Sequence, residues 1–443
     1  MLAFDSALHQ GLAALHFLPA RSLHHSKMLS IKCQNAVSQM EEIDKKTRLE
    51  SCTFGGHNKQ WLSQELQRLL SMQKRMGDGL VLTRGTWSWD VCEPSRYQLC
   101  GTMQFFNITK RNELFIPEVQ GKVRIFSRDI LDDVSSKIQI IPVHPGEKPK
   151  KRCDGYWPAY ITRAGESTAM QVILDIQSSR GRQLHGLQAV RLELEYVCYG
   201  PHGRSSHAQH LVLPLSFPPV VESNPQWQEI KGLGYVMPIR THLLSHLDDP
   251  LQVLQTYALP HCKAGDMIAI GETPLAIMQG RFRHPRGLQP GLVAKLACRC
   301  FLPTSSLATA CGMQSLIDIS GRLRVIVAVI IAVIARLMGI RGMFYRIAGK
   351  QARLIDDVSG TLPPYDQYIT LGPIHVQATV DALKAKTGCE VAVVDANDLR
   401  QVQILAASHG INDKVLQAAL RDNPAGKVII KEELIDSSSF LIL

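Results

Sequence analysis

The chain has 443 residues, of which 45% are hydrophobic and 20% are charged. This length allows two or three domains, and the composition excludes a chain that is mostly disordered. The net charge of +10 favours an anionic partner, but no basic stripe is interleaved with aromatic residues, which argues against nucleic acid as that partner. The 11 cysteines include no CxxC pair, so the spacing of a zinc site is absent.

Residues 1–50 differ in composition from the rest of the chain. The first forty contain a single acid, Asp5, together with three lysines or arginines and several serines. A start of this kind is typical of an organelle transit peptide, for example one for the chloroplast. A disordered terminus explains the same composition, and the protein would then stay in the cytoplasm. The sequence leaves both alternatives open.

Residues 51–219 are predicted to form a short helix followed by a β-sandwich. Apolar residues at near-helical spacing indicate an amphipathic helix over Asn58–Met76. Beyond Gly79 the pattern changes to period two, with seven candidate strands at 80–89, 97–109, 121–127, 137–143, 169–176, 189–200 and 209–217. Seven short strands without a long helical pattern predict an antiparallel sandwich of immunoglobulin-like size. We expect the aromatic motif YWP, Tyr156–Pro158, to pack in its core and not to form a ligand platform.

A proline-rich linker separates this sandwich from a second domain. The linker, residues 220–230, overlaps the stretch FPPVVESNPQW at 217–227, whose prolines favour an extended path. Strands and helices alternate over residues 231–427, which predicts an α+β or α/β domain. Residues 428–443 form a tail of different character. The chain is therefore expected to be multidomain.

A long apolar run occupies Arg324–Ile340 in the second domain. Its uninterrupted part, Val325–Ala335, would span roughly 16 Å as a helix, about half of a bilayer core. Arginine interrupts the run at Arg336 and flanks it on both sides. The pattern favours a buried core helix, or one lying against a partner or a membrane surface, over a helix that spans the membrane.

Three clusters in the second domain could carry chemistry. The first is the loop GRFRHPRG, which contains Arg281, Arg283 and Arg286 between two glycines. Guanidinium groups bind phosphate oxygens in pairs, so these arginines are candidates for holding a nucleotide or another small anionic ligand. The alternative is an ordinary solvated basic loop.

The other two clusters are acidic. Asp356 and Asp357 lie in LIDDVSG, and if this segment is a strand only one of them faces any given site. Asp395 and Asn397 follow the buried-strand pattern VAVV, at the end where open α/β sheets bind ligands. Asp398, next along the chain, could equally cap a helix.

We expect the two acidic clusters to meet. An amphipathic helix from Val376 to Gly388 can return the chain parallel to a strand predicted at Tyr368–Leu371. Carboxylates brought together in this way repel each other and need a proton, an arginine or a divalent cation between them. Oxygen ligands suit Mg²⁺ or Mn²⁺ and not zinc. The sequence therefore predicts a divalent metal site with Asp356 and Asp395 as ligands and Asp357 or Asn397 as an auxiliary ligand.

From about Gly234 to Asn423 the chain resembles a divergent branch of the coenzyme F-420 γ-glutamyl ligase family. The resemblance rests on the motifs GD, GR, HP, GxFYRxAG, IDD, TLPPYD, LGP and VVDANDL, read in that order along this sequence. It implies a ligase-like domain that uses GTP and a divalent cation to join glutamate to a deazaflavin phosphodiester. It places the metal aspartates at Asp356 and Asp395, and it leaves the β-sandwich outside the family's domain.

The chain departs from the family pattern at positions that matter for phosphate binding. The family has lysine in the stretch that corresponds to Thr273–Ile277, where this chain has none, and an acid at the position of Gln279. Two hypotheses therefore stay open. The protein is a metal- and nucleotide-dependent ligase, or it is a non-catalytic ligand-binding or scaffold protein that keeps the ligase fold. A homodimer is a possible assembly for either.

Overall fold

The computed structural model describes residues 53–54, 79–146, 155–218, 228–230, 234–263, 266–340, 342–358, 363–396, 402–421 and 440–442. Several predictions fall outside these residues. They are the transit-like segment 1–50, the helix over Asn58–Met76, most of the linker 220–230 and most of the tail 428–443.

The first domain is built from eleven strands in two sheets. They are β1 Thr53–Phe54, β2 Leu80–Leu82, β3 Thr86–Glu93, β4 Arg96–Asn107, β5 Leu114–Ile116, β6 Val119–Ser127, β7 Val134–Val143, β8 Tyr160–Thr162, β9 Ser167–Ser178, β10 Leu187–Gly200 and β11 Gly203–Pro214. One sheet has the order β1-β3-β4-β9-β7, with β2 also paired to β4. The other has the order β11-β10-β5-β8, with β6 paired to β10, and every pairing is antiparallel.

The two sheets enclose one hydrophobic core, as period-two alternation dictates. Along β10 the side chains of Val190, Leu192, Leu194 and Tyr196 are all buried, while the residues between them are only partly covered. In the YWP motif, Trp157 is buried as expected, and its indole N–H donates to the carbonyl of Ile116 at 3.0 Å. The core prediction is wrong for Tyr156, whose side chain is exposed. The predicted antiparallel sandwich is confirmed. The candidate strand at 80–89 is divided into β2 and β3, and the short strands β1, β5 and β8 are added to those expected.

The second domain contains nine strands and eight α-helices within the described residues. The strands are β12 Gln228–Ile230, β13 Gly234–Val236, β14 Pro238–Arg240, β15 Met267–Gly271, β16 Phe282–Arg283, β17 Ile369–Thr370, β18 Glu390–Ala396, β19 Val402–Ala407 and β20 Phe440–Ile442. The helices are α1 Pro250–Val253, α2 Glu272–Met278, α3 Leu292–Ala297, α4 Ala310–Ser320, α5 Arg322–Leu337, α6 Met343–Ala348, α7 Val376–Thr387 and α8 Asp413–Leu420.

A mixed five-stranded sheet organises this domain, in the order β14-β20-β15-β18-β19. Strands β15 and β18 are parallel, whereas β20 and β19 run antiparallel to their neighbours. The prediction that β18 would lie parallel to the strand near Tyr368–Leu371 was wrong. That segment forms the short strand β17, which pairs antiparallel with β16 in a separate two-stranded sheet. Helix α7 instead leads into β18, which lies parallel to β15.

Helix α5 contains the long apolar run, and most of it is not buried. Only Val325, Ala328 and Ala335 are buried, on the face that packs against the neighbouring helices. The alternative of a buried core helix is therefore wrong, because the described residues cover only one side of a run that is apolar on all sides. The alternative of a helix that lies against a partner or a membrane surface stays a prediction. None of the helices in the described parts of the chain combines the length and the hydropathy needed to cross a bilayer.

The two domains contact each other directly. Ala189 and Val212 of the sandwich form one apolar cluster with Ile277, Tyr365 and Tyr368 of the second domain. A buried arginine of the sandwich, Arg84, donates to the carbonyl of His246 at 3.0 Å and to that of Gln279 at 3.2 Å. These contacts lie beside helix α2 and fix the sandwich against the part of the domain described next.

Candidate functional site: a cluster of three carboxylates

Two acids follow the ends of the parallel strands β15 and β18. In the register of this pair Gly271 lies opposite Val394, so the next residues along the chain are Glu272 and Asp395. The apolar residues before them are buried in the sheet, which holds both strand ends in place. Glu272 is also the first residue of helix α2, where a carboxylate interacts favourably with the helix dipole.

A third acid, Asp356, reaches the same place from a different part of the chain. Its backbone pairs with Thr370 at the end of β17, through two hydrogen bonds of 2.9 Å. Because β17 pairs with β16, and β16 follows helix α2, this bridge fixes Asp356 close to Glu272 and Asp395. Asp356 and Asp395 therefore lie within electrostatic range of each other and of Glu272. Strand β15 and this bridge bring them there, and not the parallel crossover that the sequence predicted.

The pKa of all three carboxyl groups is raised, mainly by burial. Burial, followed by the negative charges of Asp395 and Asp356, raises the pKa of Glu272 from 4.5 to about 9. Burial and the charge of Asp395 raise the pKa of Asp356, and burial raises that of Asp395. Glu272 therefore holds a proton at neutral pH unless a positive charge enters the cluster.

No cation of the protein neutralises this cluster within the described residues. None of the three carboxylates has an ion pair or a side-chain hydrogen bond there. Three acidic oxygen donors without a basic partner match the preference of Mg²⁺ or Mn²⁺. Among the same residues, however, no three His, Cys, Asp or Glu side chains have the arrangement of a metal site. The donors fit a divalent cation in chemistry, but they are not preassembled around one.

The proposed auxiliary ligands lie elsewhere or outside the described residues. The carboxylate of Asp357 accepts from the backbone N–H of Val358 at 2.9 Å, and its charge contributes to the raised pKa of the Cys311 thiol. Asp357 therefore faces helix α4, as expected if only one of the adjacent acids points to the site. Asn397 and Asp398 lie outside the described residues.

Two of the three candidate phosphate-binding arginines are engaged inside the domain. Arg281 donates to the carbonyl of Gly372 at 3.0 Å and to the side-chain oxygen of Gln351 at 3.2 Å. Arg283 forms a 2.8 Å ion pair with Asp318 of helix α4. Their positive charges therefore hold the loop to its neighbours.

Arg286 is placed differently, beside the sandwich. Its side chain is 74% exposed and lies 3.9 Å from the carboxylate of Glu193 on β10. Next to it, the ring of His284 stacks on the ring of buried His210 of β11, with centroids 4.4 Å apart. The three arginines thus do not converge on one point, and only Arg286 has a guanidinium that a ligand could reach.

Glu272 is the site residue that the sequence reasoning missed. The signal was present, because IAIGET repeats the pattern of VAVVDA: a buried apolar strand that runs directly into an acid. The likeness was overlooked because Gly271 stands where the second pattern has Val394. Gln279, at the position of a family acid, holds the loop after β17 through hydrogen bonds in both directions with the backbone of Ile374.

The β-sandwich matches a known domain family. Residues 81–217 match the family model described as the F420-0:gamma-glutamyl ligase, N-terminal Ig-like domain. The sandwich is thus similar to a domain that occurs in the ligase family. The resemblance found in the sequence placed the sandwich outside the ligase domain and, being based on the second domain alone, could not reveal this match. No curated protein matches the chain.

Several solved structures resemble part of the chain. They include the GAE domain of yeast GGA1 (7% identity, 31% of this chain and 93% of that chain, TM-score 0.17) and the GAE domain of GGA2p from Saccharomyces cerevisiae (10%, 31% and 90%, TM-score 0.18). Another is the human CEP192 ASH/PapD-like domain 7 (8%, 30% and 83%, TM-score 0.14). At these TM-scores the likeness carries no argument about function.

Proposed function

We propose that this protein is a divalent-metal- and nucleotide-dependent ligase of the γ-glutamyl ligase type, with Glu272, Asp356 and Asp395 as the residues that hold the cation. The observation that carries the proposal is the meeting of these three carboxylates at the ends of β15 and β18. The match of the sandwich to a domain of the same family supports it independently.

The cluster is suited to a cation because its charges are uncompensated. Protons or a cation must enter before all three carboxylates can lie together, and their raised pKa values express that cost. Bound there, Mg²⁺ or Mn²⁺ would supply positive charge for the phosphate oxygens of GTP. Asp357 is not needed in this ligand set, since it faces Cys311.

The residues around the cluster would position a nucleotide without the family's lysine. Thr273–Ile277 forms most of helix α2, which packs its apolar side chains Leu275, Ala276 and Ile277 inward. Arg286 is the exposed guanidinium of the loop that leads away from this helix. We assign it a role in attracting the anionic ligand, and we assign Arg281 and Arg283 a role in holding the loop.

A non-catalytic function is the second candidate, and one observation favours it. Arg281 and Arg283 are candidates for phosphate binding in the sequence, but both make contacts within the domain. Their partners are Gly372, Gln351 and Asp318. A protein with these arginines engaged and without the family's lysine could keep the fold and bind a ligand without transferring a group. In that case the sandwich would serve to contact a partner.

A nucleotide-binding measurement separates these functions without knowledge of the acceptor substrate. Isothermal titration with a non-hydrolysable GTP analogue should detect binding in the presence of Mn²⁺ and not in EDTA. Asp395→Asn should abolish the binding, whereas Asp381→Asn, a change on the exposed surface of α7, should preserve it. Absence of binding in the wild-type protein with Mn²⁺ would favour the scaffold.

A further inference from the structure

Helix α5 presents a broad apolar face to solvent. Its exposed large side chains, between 38% and 85% accessible, are Leu323, Val327, Ile330, Ile331, Val333, Ile334 and Leu337. At about 100° per residue these positions cover an arc of about 160° around the helix axis. We call this surface the α5 face. It is wider than the narrow seam that a two-stranded coiled coil buries.

Neighbouring elements extend the apolar surface. Helix α3 contacts α5 and carries the exposed residues Leu292 and Leu296. Leu302, after α3, and Met338 and Ile340, after α5, are also largely exposed. Solvent-exposed aliphatic side chains concentrated in one region of a folded protein indicate an interaction surface.

The chain around the α5 face is strongly and almost exclusively basic. Residues 291–353 contain nine lysines and arginines and a single acid, Asp318, whose charge is paired with Arg283. Every one of these basic residues that the structure describes is exposed: Lys295, Arg299, Arg322, Arg324, Arg336, Arg346, Lys350 and Arg353. On α5 itself, Arg322 and Arg324 lie about 100° to either side of Leu323, so they border the apolar arc.

We propose that the α5 face docks on an anionic lipid surface, with α5 lying in the plane of the interface. Aliphatic side chains would enter the boundary of the acyl chains, while Arg322 and Arg336 reach lipid phosphates with their long side chains. Arg324 donates to the carbonyl of Ile347 at 2.7 Å and helps to hold α5 on the domain. Anionic headgroups complement the excess of cations around the face. The buried side of α5, at Val325, Ala328 and Ala335, keeps the helix attached to the domain during docking.

The same charges disfavour a second copy of the chain as the occupant. In a two-fold interface each protomer would bring an identical basic rim to the other, with Asp318 already paired inside its own subunit. Like charges facing each other across an interface are repulsive. The surface therefore fits an anionic partner better than it fits itself.

Vesicle cosedimentation with the full chain tests the proposal. The probes are vesicles of phosphatidylcholine alone and of phosphatidylcholine with phosphatidylglycerol. We expect the protein to pellet with the anionic vesicles and to remain mostly in solution with the neutral ones. Ile330→Ser/Ile334→Ser, which changes two exposed side chains, should lower the partition coefficient at least tenfold. Arg322→Gln/Arg336→Gln should lower it by roughly tenfold, and added salt should do the same to the wild type.

The matched control is Arg111→Gln/Arg163→Gln, which removes two exposed arginines from the sandwich and should leave vesicle binding unchanged. Thermal unfolding establishes that each variant is folded. Wild-type protein that binds neither vesicle, or both vesicles equally, overturns the proposal. The same holds if light scattering shows a dimer that Ile330→Ser/Ile334→Ser dissociates while vesicle binding is absent, because a second copy is then the occupant.

Discussion

Glu272 and Asp395 occupy equivalent positions, each one residue beyond a pair of opposed residues in two parallel strands. Gly271 and Val394 form that pair, and the acids follow at the carboxyl ends of β15 and β18. Burial, followed by the negative charges of Asp395 and Asp356, raises the pKa of Glu272 to about 9. The parallel pairing of β15 with β18 therefore makes this edge of the sheet a candidate cation site. The spacing of the acids along the chain does not do so by itself.

Removal of one carboxylate from the cluster should stabilise the metal-free protein. We expect Glu272→Gln in EDTA at neutral pH to increase the free energy of unfolding by about 1 kcal/mol, the equivalent of one pKa unit. The melting temperature should rise by roughly 2–4 °C. Differential scanning calorimetry measures both.

Glu390, at the start of β18, is a contrasting control for this prediction. Its carboxylate forms a 2.6 Å ion pair with Lys384, and this hydrogen bond is the main reason why its pKa is lowered. Glu390→Gln should therefore leave stability unchanged or lower it slightly. If Glu272→Gln destabilises the protein in EDTA as Glu390→Gln does, the cluster is not electrostatically strained.

The histidine pair between the domains should make stability depend on pH. Burial, followed by the positive charges of His284, Arg191 and Arg286, lowers the pKa of His210 to about 3. In the unfolded chain the histidine has a pKa near 6.5, so below that pH it binds a proton that the folded chain does not bind. Stability is therefore fully present above pH 6.5 and is lost as the pH falls from 6.5 towards 3.

His210→Gln should weaken this dependence, which has a slope of up to about 1.4 kcal/mol per pH unit. Glu193 and Tyr368 also face His210, and both remain in the variant. Urea unfolding at a series of pH values gives the slopes, with His185→Gln, a change at an exposed site, as the control. Parallel slopes for the wild type and His210→Gln would show that another group titrates.

Arg84 should couple the stability of the two domains. Arg84→Ala leaves the carbonyls of His246 and Gln279 without their buried donor, at a cost of about 1–3 kcal/mol. Gly280→Ala should have a similar effect, because Gly280 has a positive φ and a methyl group there would collide with the Arg84 guanidinium. Both variants should split a single unfolding transition into two, whereas Arg163→Ala should not. A single transition at the wild-type position in both would mean that the interface is held by the apolar cluster alone.

The arginine loop should separate into structural and ligand-facing residues. Arg283→Ala breaks the ion pair with Asp318, leaves that carboxylate unpaired and should lower the melting temperature. Arg286→Ala should leave the melting temperature within about 1 °C, because its side chain is mostly exposed. If the loop attracts a phosphate, only Arg286→Ala will reduce nucleotide affinity without a loss of stability. Unchanged affinity for it would identify an ordinary solvated loop.

The sandwich was predictable from sequence because buried apolar residues and partly exposed residues alternate along its strands. This alternation can be recognised within a few neighbouring residues. Val190, Leu192, Leu194 and Tyr196 face one core, and no distant information is needed to place them. The three-residue strands β5 and β8 were missed, since a run that short carries no measurable alternation.

The site was only partly predictable. Asp356 and Asp395 were found as acids after apolar runs, but their meeting depends on the parallel pairing of β18 with β15, more than a hundred residues earlier in the chain. Glu272 had a local signal in IAIGET, but its pairing with Asp395 depends on the same distant contact. The sequence left two alternatives for the apolar run of α5, because hydropathy alone does not reveal which side of a helix the protein covers.

Calorimetric titration of Mn²⁺ into the metal-free protein tests the central claim most directly. We expect one site in the wild type, with affinity lowered at least tenfold in Glu272→Gln and in Asp395→Asn. Affinity should be unchanged in Asp357→Asn, whose charge acts on the Cys311 thiol. Equal affinity in the wild type and Glu272→Gln, or loss of binding only in Asp357→Asn, would show that the three carboxylates do not hold the cation.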